Sequence, residues 1–323
     1  MKKIVIDTLG SDKGEKEIVL GAIASHKNNP SYIYVLVGIK DEIIKILTDS
    51  NENLSDYEIV DSLPLDPSIH EAMAMLRFKG HCSIVDAFDY AKNDDDVIGV
   101  VSAGPTGMLL VSSIRHIGLI ENVSFPVLAT LLFNYKHEYV CMLDCGANIE
   151  VREDKILQFA YMGSALMHAY CGIASPRVGL LNVGSEETKG DSIRKEAFKL
   201  LKDSKLNFYG NVEGNDVFID KVDVIVCDGF SGNMILKNAE AVGMIARQIA
   251  LQNGEKKTAD CLYDMFAYND LGGAIFLGTN KPVIKAHGAA TSKTIESVIK
   301  DIIQLDKNDF IKHIKTEFES LKD

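Results

Sequence analysis

No stretch of 18 or more apolar residues occurs in the chain, so the sequence offers no membrane-spanning helix. The N-terminal MKKIVIDTLG also lacks what a secretory leader needs. Its apolar run is short and interrupted by Asp7, and it reads as a first buried strand. The expectation is a cytoplasmic protein. The six cysteines form no CxxC pair and show no His/Cys ligand spacing. Most lie in apolar runs, which predicts reduced, buried thiols and no metal site. Basic charge is scarce: 34 Lys and Arg face 46 Asp and Glu, a formal net charge of −12. That balance speaks against a nucleic-acid surface. A local cluster, Arg177, Arg194, Lys195, Lys199 and Lys202, could meet an acidic partner. The last four have helical spacing and equally fit a solvated helix face. Internal repeats, low-complexity tracts and Pro/Ser-rich linkers are absent.

What is present fits a large α/β protein. With 323 residues, 46% apolar and 25% charged, the chain can bury the core of one big domain or two lobes. Apolar runs recur between helical patterns: IVIDTL, YIYVLVG, YEIVD, VIGVVSAG, VLATLL, YVCMLD, VGLLNVG and VDVIVCDG. Continuous Val, Ile and Leu without alternation implies strands covered on both faces, hence parallel pairing. Helices are expected between them, among them Glu15 to Lys27, Ile69 to Phe78, Thr106 to Ile117, Asp154 to Cys171, Ser192 to Asp203 and Gly232 to Gln252. FPVLATLLFNYKHEYVCMLD reads as a hairpin turning at Asn134 to His137. The predicted class is α/β, an open, mostly parallel Rossmann-like sheet with flanking helices. Residues 1–323 form a two-lobed single unit, with a helical excursion at about 243–270.

Candidate chemistry collects where strands end. In VGLLNVGSEETKG, residues 178–190, an apolar strand meets Gly184, Glu186, Glu187, Lys189 and Gly190. A strand feeding a Gly-rich turn and a helix start exposes backbone N–H groups suited to an anion, and Lys189 adds a cation. A second such unit, VDVIVCDGFSGNMILK, carries Asp228, Gly229, Gly232 and Asn233. In VVSAGPTGMLL, Ser102, Gly104, Thr106 and Gly107 could face a ligand, with Pro105 suited to a first helical turn. LDCGAN sets Asp144 and Asn148 after a strand, where turn chemistry is the plain alternative. IDTLGSD carries Asp7 and Asp12. KAHGAAT sets Lys285 and His287 at a strand-to-helix turn. No segment matches a Walker loop or a dinucleotide fingerprint. Two strand-turn-helix units so close together suggest a phosphate or other small anion at the carboxyl ends of the strands.

Taken in order, IDTLGSD, VSAGPTG, LDCGAN, the stretch from Gln158 to Gly190, NFYGNVEGND, VDVIVCDGFSGN and LGGAIFLGTNKPVIKAHG resemble the PlsX family, the bacterial phosphate acyltransferases of phospholipid synthesis. The resemblance covers almost the whole chain. It implies a fold like that of phosphotransacetylases and the isocitrate dehydrogenase group, a homodimer and no cofactor. It implies transfer of a long-chain acyl group from acyl carrier protein to inorganic phosphate. The acyl phosphate would then serve a membrane glycerol-3-phosphate acyltransferase, an indirect partner. Membrane contact would be at most peripheral, since the 243–270 segment is shorter than the family's helical hairpin and carries the polar QNGEKKTADC. Pro105 and Cys82 stand where the family usually has Asn and Ser. A coenzyme A-dependent acyltransferase and a non-catalytic regulator that binds acyl carrier protein are the alternatives.

In that reading Lys189 meets phosphate or oxyanion charge. The Gly104–Gly107 and Gly229–Asn233 turns supply backbone donors, and Asn233 adds a side-chain donor. Asp228 would orient Lys189 or shuttle a proton, and His287 is the acid/base candidate. Ser102, Thr106, Asp144, Asn148, Gly184, Glu187 and Gly232 complete the expected binding set. SALMHAYCGIA, residues 164–174, and the Met73, Met75, Leu76 face are candidate acyl slots, with ordinary core as the alternative.

Overall fold

The computed structural model describes residues 1–66, 69, 77–78, 80–266 and 272–319. They fall into two units, Met1–Ile120 with Asn269–Lys307, and Glu121–Tyr268 with Asn308–Asp323.

In the first unit the near-continuous apolar runs become buried strands. They are β1 (Lys3–Asp7), β2 (Ile33–Gly38), β3 (Tyr57–Asp61) and β4 (Val97–Ser102). Two further strands, β10 (Ala274–Leu277) and β11 (Val283–Lys285), close the set. Their order is β3-β2-β1-β4-β11-β10. All neighbours are parallel except β10 and β11. Ile4, Val5 and Ile6 of β1 are fully buried, as expected of a strand covered on both faces. Helix α1 (Glu15–Asn28) packs against α9 (Ser292–Lys307), while α2 (Lys40–Asp49) and α3 (Ser83–Asn93) cross between strands. Helix α4 (Thr106–Ser112) opens the expected 106–117 helix, which finishes as a π-helical turn, Ser113–Ile117. Strand order reverses between β1 and β4, so the loops after these strands border a crevice at their carboxyl ends.

The second unit has the order β5-β6-β9-β7-β8. The expected hairpin is present as antiparallel β5 (Val127–Phe133) and β6 (Tyr139–Leu143). The remaining strands, β9 (Val224–Val226), β7 (Val178–Leu181) and β8 (Phe208–Val212), pair in parallel with β6 and one another. Helix α5 (Glu153–Cys171) lies against β6 and β9 and contacts α6 (Ser192–Lys202) and α10 (Phe310–Glu319). Helix α7 (Gly229–Gln252) packs along α8 (Lys256–Phe266) across the expected excursion. Among the described residues no helix is long and apolar enough to cross a membrane. Yet α7 exposes Val242, Met244, Ile245 and Ile249 just before the polar QNGEKK turn.

Three strands escape a reading based on apolar runs. β8 is FYGNV, with glycine and asparagine inside it, and β10 and β11 have four and three residues. Such short or mixed segments carry no periodicity of their own, and their neighbours recruit them. The helix expected over Ser192 to Asp203 does start at Ser192, because the Asp191 carboxylate caps it by accepting from Arg194 N–H at 2.8 Å. The expected Ile69–Phe78 helix, with Met73, Met75 and Leu76, lies largely outside the described residues.

Candidate functional site

Each unit gathers candidate residues at the carboxyl ends of its strands. In the first unit Asp7 ends β1 and is fully buried. Ser102, the last residue of β4, donates its hydroxyl to Asp7 Oδ2 at 2.6 Å and accepts the Gly104 N–H at 3.0 Å. Burial pushes the Asp7 carboxyl above its ordinary value against the hydrogen bonds from Ser102, Ser83 and Leu9. The Gly104 N–H, expected to face a ligand, is thus spent on Ser102, and Ser102 itself is fully buried. Thr106 and Gly107 open α4, half-buried, after Pro105.

β11 pairs with β4 so that Lys285 stands opposite Ser102. His287 follows two residues later. Its Nδ1 accepts the Ala289 N–H at 3.2 Å. A neutral imidazole held that way keeps its proton on Nε2, so His287 presents a donor. The next residue, Gly288, accepts from Asp12 N–H at 2.7 Å and from the Ser11 hydroxyl at 3.1 Å. The strand-end loops after β1 and β11 are thereby tied together.

In the second unit Asp144 follows β6. Its Oδ1 accepts from Gly146 N–H at 3.0 Å and Ala147 N–H at 2.9 Å, and from Leu128 N–H at 3.4 Å. Its Oδ2 accepts from the Asn148 backbone at 2.6 Å and side-chain amide at 2.7 Å. Burial again raises the carboxyl, opposed by these bonds. The Asn148 amide also donates to Pro126 O at 2.9 Å. The expectation that Asp144 and Asn148 bind substrate is therefore corrected: both side chains are consumed in building the turn.

The same correction applies to Gly229 and Gly232. The Gly229 N–H donates to Asn148 O at 2.8 Å, and the Gly232 N–H donates to Asp228 O at 3.1 Å. Neither is free for phosphate. Their lack of a side chain serves close approach, since a Cβ on Gly229 would lie 2.6 Å from Asn148 O and one on Gly232 would collide with Asp144 O. Asp228 caps α7, its Oδ1 accepting from Ser231 N–H at 2.8 Å. Its other oxygen binds Arg194 and the Ser231 hydroxyl, the latter at 2.9 Å. Arg194, not Lys189, is the cation that Asp228 holds. Asn233 sits one turn into α7 and is exposed, its side chain close to Gly146.

The loop after β7 is pinned by two residues that the sequence reading missed. The Asn182 amide donates to Lys189 O at 3.2 Å and to Asn211 Oδ1 at 3.1 Å, and its oxygen accepts the Val183 N–H at 2.8 Å. The Asn211 amide donates to Glu186 O at 2.8 Å. Both asparagines are buried. The signal for Asn182 was legible as a polar residue closing an apolar run, which needs internal partners when buried, whereas β8, which carries Asn211, gave no such run. Gly184 is buried, and the Lys189 stem lies over it.

The cations near this loop differ in how closely carboxylates compensate them. Arg194 meets Asp191 at 2.6 Å, Lys199 meets Glu196 at 2.9 Å and Lys202 meets Glu187 at 2.9 Å. Glu187, expected to bind substrate, is thus paired with Lys202 and is an acceptor besides. Lys189 Nζ stands 4.0 Å from Glu186, the outer edge of an ion pair, and is about half exposed. Beside this loop a cavity of about 540 Å³ is lined by apolar Ile149, Val151, Ile156, Ile193 and Phe230 and by Glu150, Arg194, Asp228 and Ser231. The run 164–174, expected as an acyl slot, instead supplies core: Ala165, Leu166, Met167 and Ala169 of α5 are buried.

The thiols offer no nucleophile in the core. Cys82, Cys141, Cys145 and Cys227 are buried and unpaired. Burial lifts Cys145 to about 12 and the partly buried Cys171 to about 11, far from a thiolate at neutral pH.

A family model described as fatty acid synthesis protein matches residues 2–313. A phosphate acyltransferase of Caldanaerobacter subterraneus is 34% identical over 333 residues, covering 98% of this chain and 97% of that protein. One from Nitratiruptor is 34% identical over 334 residues, covering 99% of both. Among solved structures, a phosphotransacetylase from Streptococcus pyogenes superposes with a TM-score of 0.65 at 16% identity, over 97% of this chain and 94% of that one. A branched-chain phosphotransacylase from Enterococcus faecalis gives 0.61 at 12% identity, over 94% and 98%. These two likenesses speak for the fold alone.

Proposed function

The chain belongs to the PlsX family of fatty acid synthesis proteins and is an acyltransferase, and from that premise we propose that it moves a long-chain acyl group from acyl carrier protein to inorganic phosphate. The product is an acyl phosphate, destined for phospholipid synthesis by a membrane glycerol-3-phosphate acyltransferase. The observation that carries this reading is Lys189. Its loop is fixed by Asn182 and Asn211, while its ammonium group lacks the close carboxylate that Arg194, Lys199 and Lys202 have. A weakly compensated cation on a pinned loop at the end of a strand suits a small anion.

The chemistry asks little more. The second ionisation of a phosphate group lies near about 6, so a dianion is abundant at neutral pH. One of its oxygens attacks the thioester carbonyl, the C–O bond forms, and the C–S bond breaks. The departing thiolate, of a thiol with pKa about 8.5, takes up the proton that phosphate releases. The protein's task is to hold the anion and meet the developing oxyanion charge. Lys189 carries that charge. A homodimer in the cytoplasm is the expected form, and exposed Met244, Ile245 and Ile249 on α7 favour peripheral membrane contact.

The test incubates purified protein with phosphate and palmitoyl–acyl carrier protein, with palmitoyl-CoA and acetyl-CoA in parallel. Acyl phosphate is trapped as hydroxamate and read by mass spectrometry. Product from the carrier-linked donor, lost without phosphate, is the expected result. Product from CoA donors alone would move the donor assignment to coenzyme A. Tight binding of acyl carrier protein with no product from any donor would overturn catalysis in favour of a regulatory role.

A further inference from the structure

Building on the acyl-transfer reading, we propose that the cavity beside Asp228 is the seat of the donor's acyl chain. At about 540 Å³ it falls in the range of pockets that enclose a small ligand. Ile156 and Val151 form part of its wall at the start of α5, Ile193 comes from the first turn of α6, and Phe230 comes from the first turn of α7. The loop that carries Lys189 runs directly into the helix that carries Ile193, so the charge-bearing and apolar parts of the edge are covalently adjacent.

Charge chooses the occupant. Arg194 is clamped between Asp191 and Asp228 and also donates to the Ser231 hydroxyl at 3.2 Å. An incoming anion would have to break one of those ion pairs and would also face Glu150. An uncharged chain makes no such demand, because the polar end of the cavity is already satisfied internally. The apolar side invites it: Ile149 is 66% exposed and Phe230 62% exposed, large side chains left in water beside a cavity. Each additional pair of buried methylenes would tighten binding by about tenfold, which is the selectivity for long chains that the proposed reaction requires.

The test uses Ile193→Trp to fill the cavity and the exposed Phe230→Ala to open it, each checked for folding by thermal melting. Binding is read with the methyl ester of cis-parinaric acid, an uncharged fluorescent long-chain probe. Catalysis is read as the ratio of kcat/KM for palmitoyl and butyryl donors. Ile193→Trp should weaken the probe at least about tenfold and lower the palmitoyl-to-butyryl ratio by a similar factor. Phe230→Ala should shift the same ratio. Wild-type affinity in both folded variants, or no probe binding by the wild-type protein, would overturn the proposal. So would a changed oligomeric state with an unchanged ratio, which would make this face a contact between copies. Acyl phosphate formation with an unmoved ratio would remove the acyl seat and leave the reaction. Probe binding lost in Ile193→Trp, with no acyl phosphate from any donor, would remove the reaction and leave the seat.

Discussion

Asp7 closes β1 in the first unit and Asp144 follows β6 in the second, and both carboxylates are fully buried. Asp144 is surrounded by N–H donors: the backbones of Leu128, Gly146, Ala147 and Asn148 and the Asn148 amide. Asp7 has the Leu9 N–H and two hydroxyls, that of Ser83 and that of Ser102, the latter passing the interaction on to Gly104. One carboxylate builds its loop directly, and the other builds it through a serine. In both units the carboxyl pKa is raised by burial, and in both the carboxyl oxygens accept hydrogen bonds from their own loops. The contrast teaches that acidic and glycine residues at these strand ends are consumed in shaping loops. The charges left for chemistry come from residues that the shaped loops hold out, Lys189 above all.

The largest expected effect follows from that division. Lys189→Ala should lower kcat in the hydroxamate assay by about 10²–10³ while the melting temperature stays near that of the wild type. Near-normal turnover would remove Lys189 from the reaction. Asp144→Ala should do the opposite, costing stability first. It strands several buried N–H groups, and urea unfolding should show a loss of about 3 kcal/mol. A stability loss as small as that of a surface substitution would show that Asp144 is not the organiser of its turn.

His287 separates a donor from a base. If Nε2–H is what it contributes, His287→Gln should retain about tenfold more activity than His287→Ala. Equal losses would sink the donor assignment. Asp7→Asn addresses pH. Burial keeps the native Asp7 carboxyl protonated to higher pH than in the unfolded chain, where its value is about 3.9. The resulting stabilisation is present below that pH and is lost as pH rises through the raised native value. The asparagine cannot titrate, so its urea midpoint relative to wild type should improve as pH rises from about 3.9 towards neutrality. A constant difference across that range would contradict the raised value. Glu187→Gln should do least. Its partner Lys202 is well exposed, as is Glu187 itself, and such pairs contribute about 0–1 kcal/mol. A large loss of activity would restore Glu187 to the site.

Much of this protein was legible in its residues. Uninterrupted Val, Ile and Leu in runs such as IVID and VIGVV imply strands buried on both faces, and a sheet with parallel neighbours follows from that burial. The turn at Asn134–His137 was equally local. The motifs also located the carboxyl edge, because glycine and small polar residues directly after an apolar run mark where a strand ends. What residue order could not decide was which partner each polar group takes. Asp228 meets Arg194 from another helix, Asn182 meets Asn211 from another strand, and Gly229 gives its N–H to the turn after β6. Those choices depend on distances between segments far apart in the chain, and sequence spacing carries no such distance. The sequence alone therefore determined the α/β class, the strand ends and the family to which the chain belongs. The tertiary structure decided which of the polar residues are spent on loops and which remain for chemistry, because hydrogen-bond partners are assigned only once the strands lie side by side.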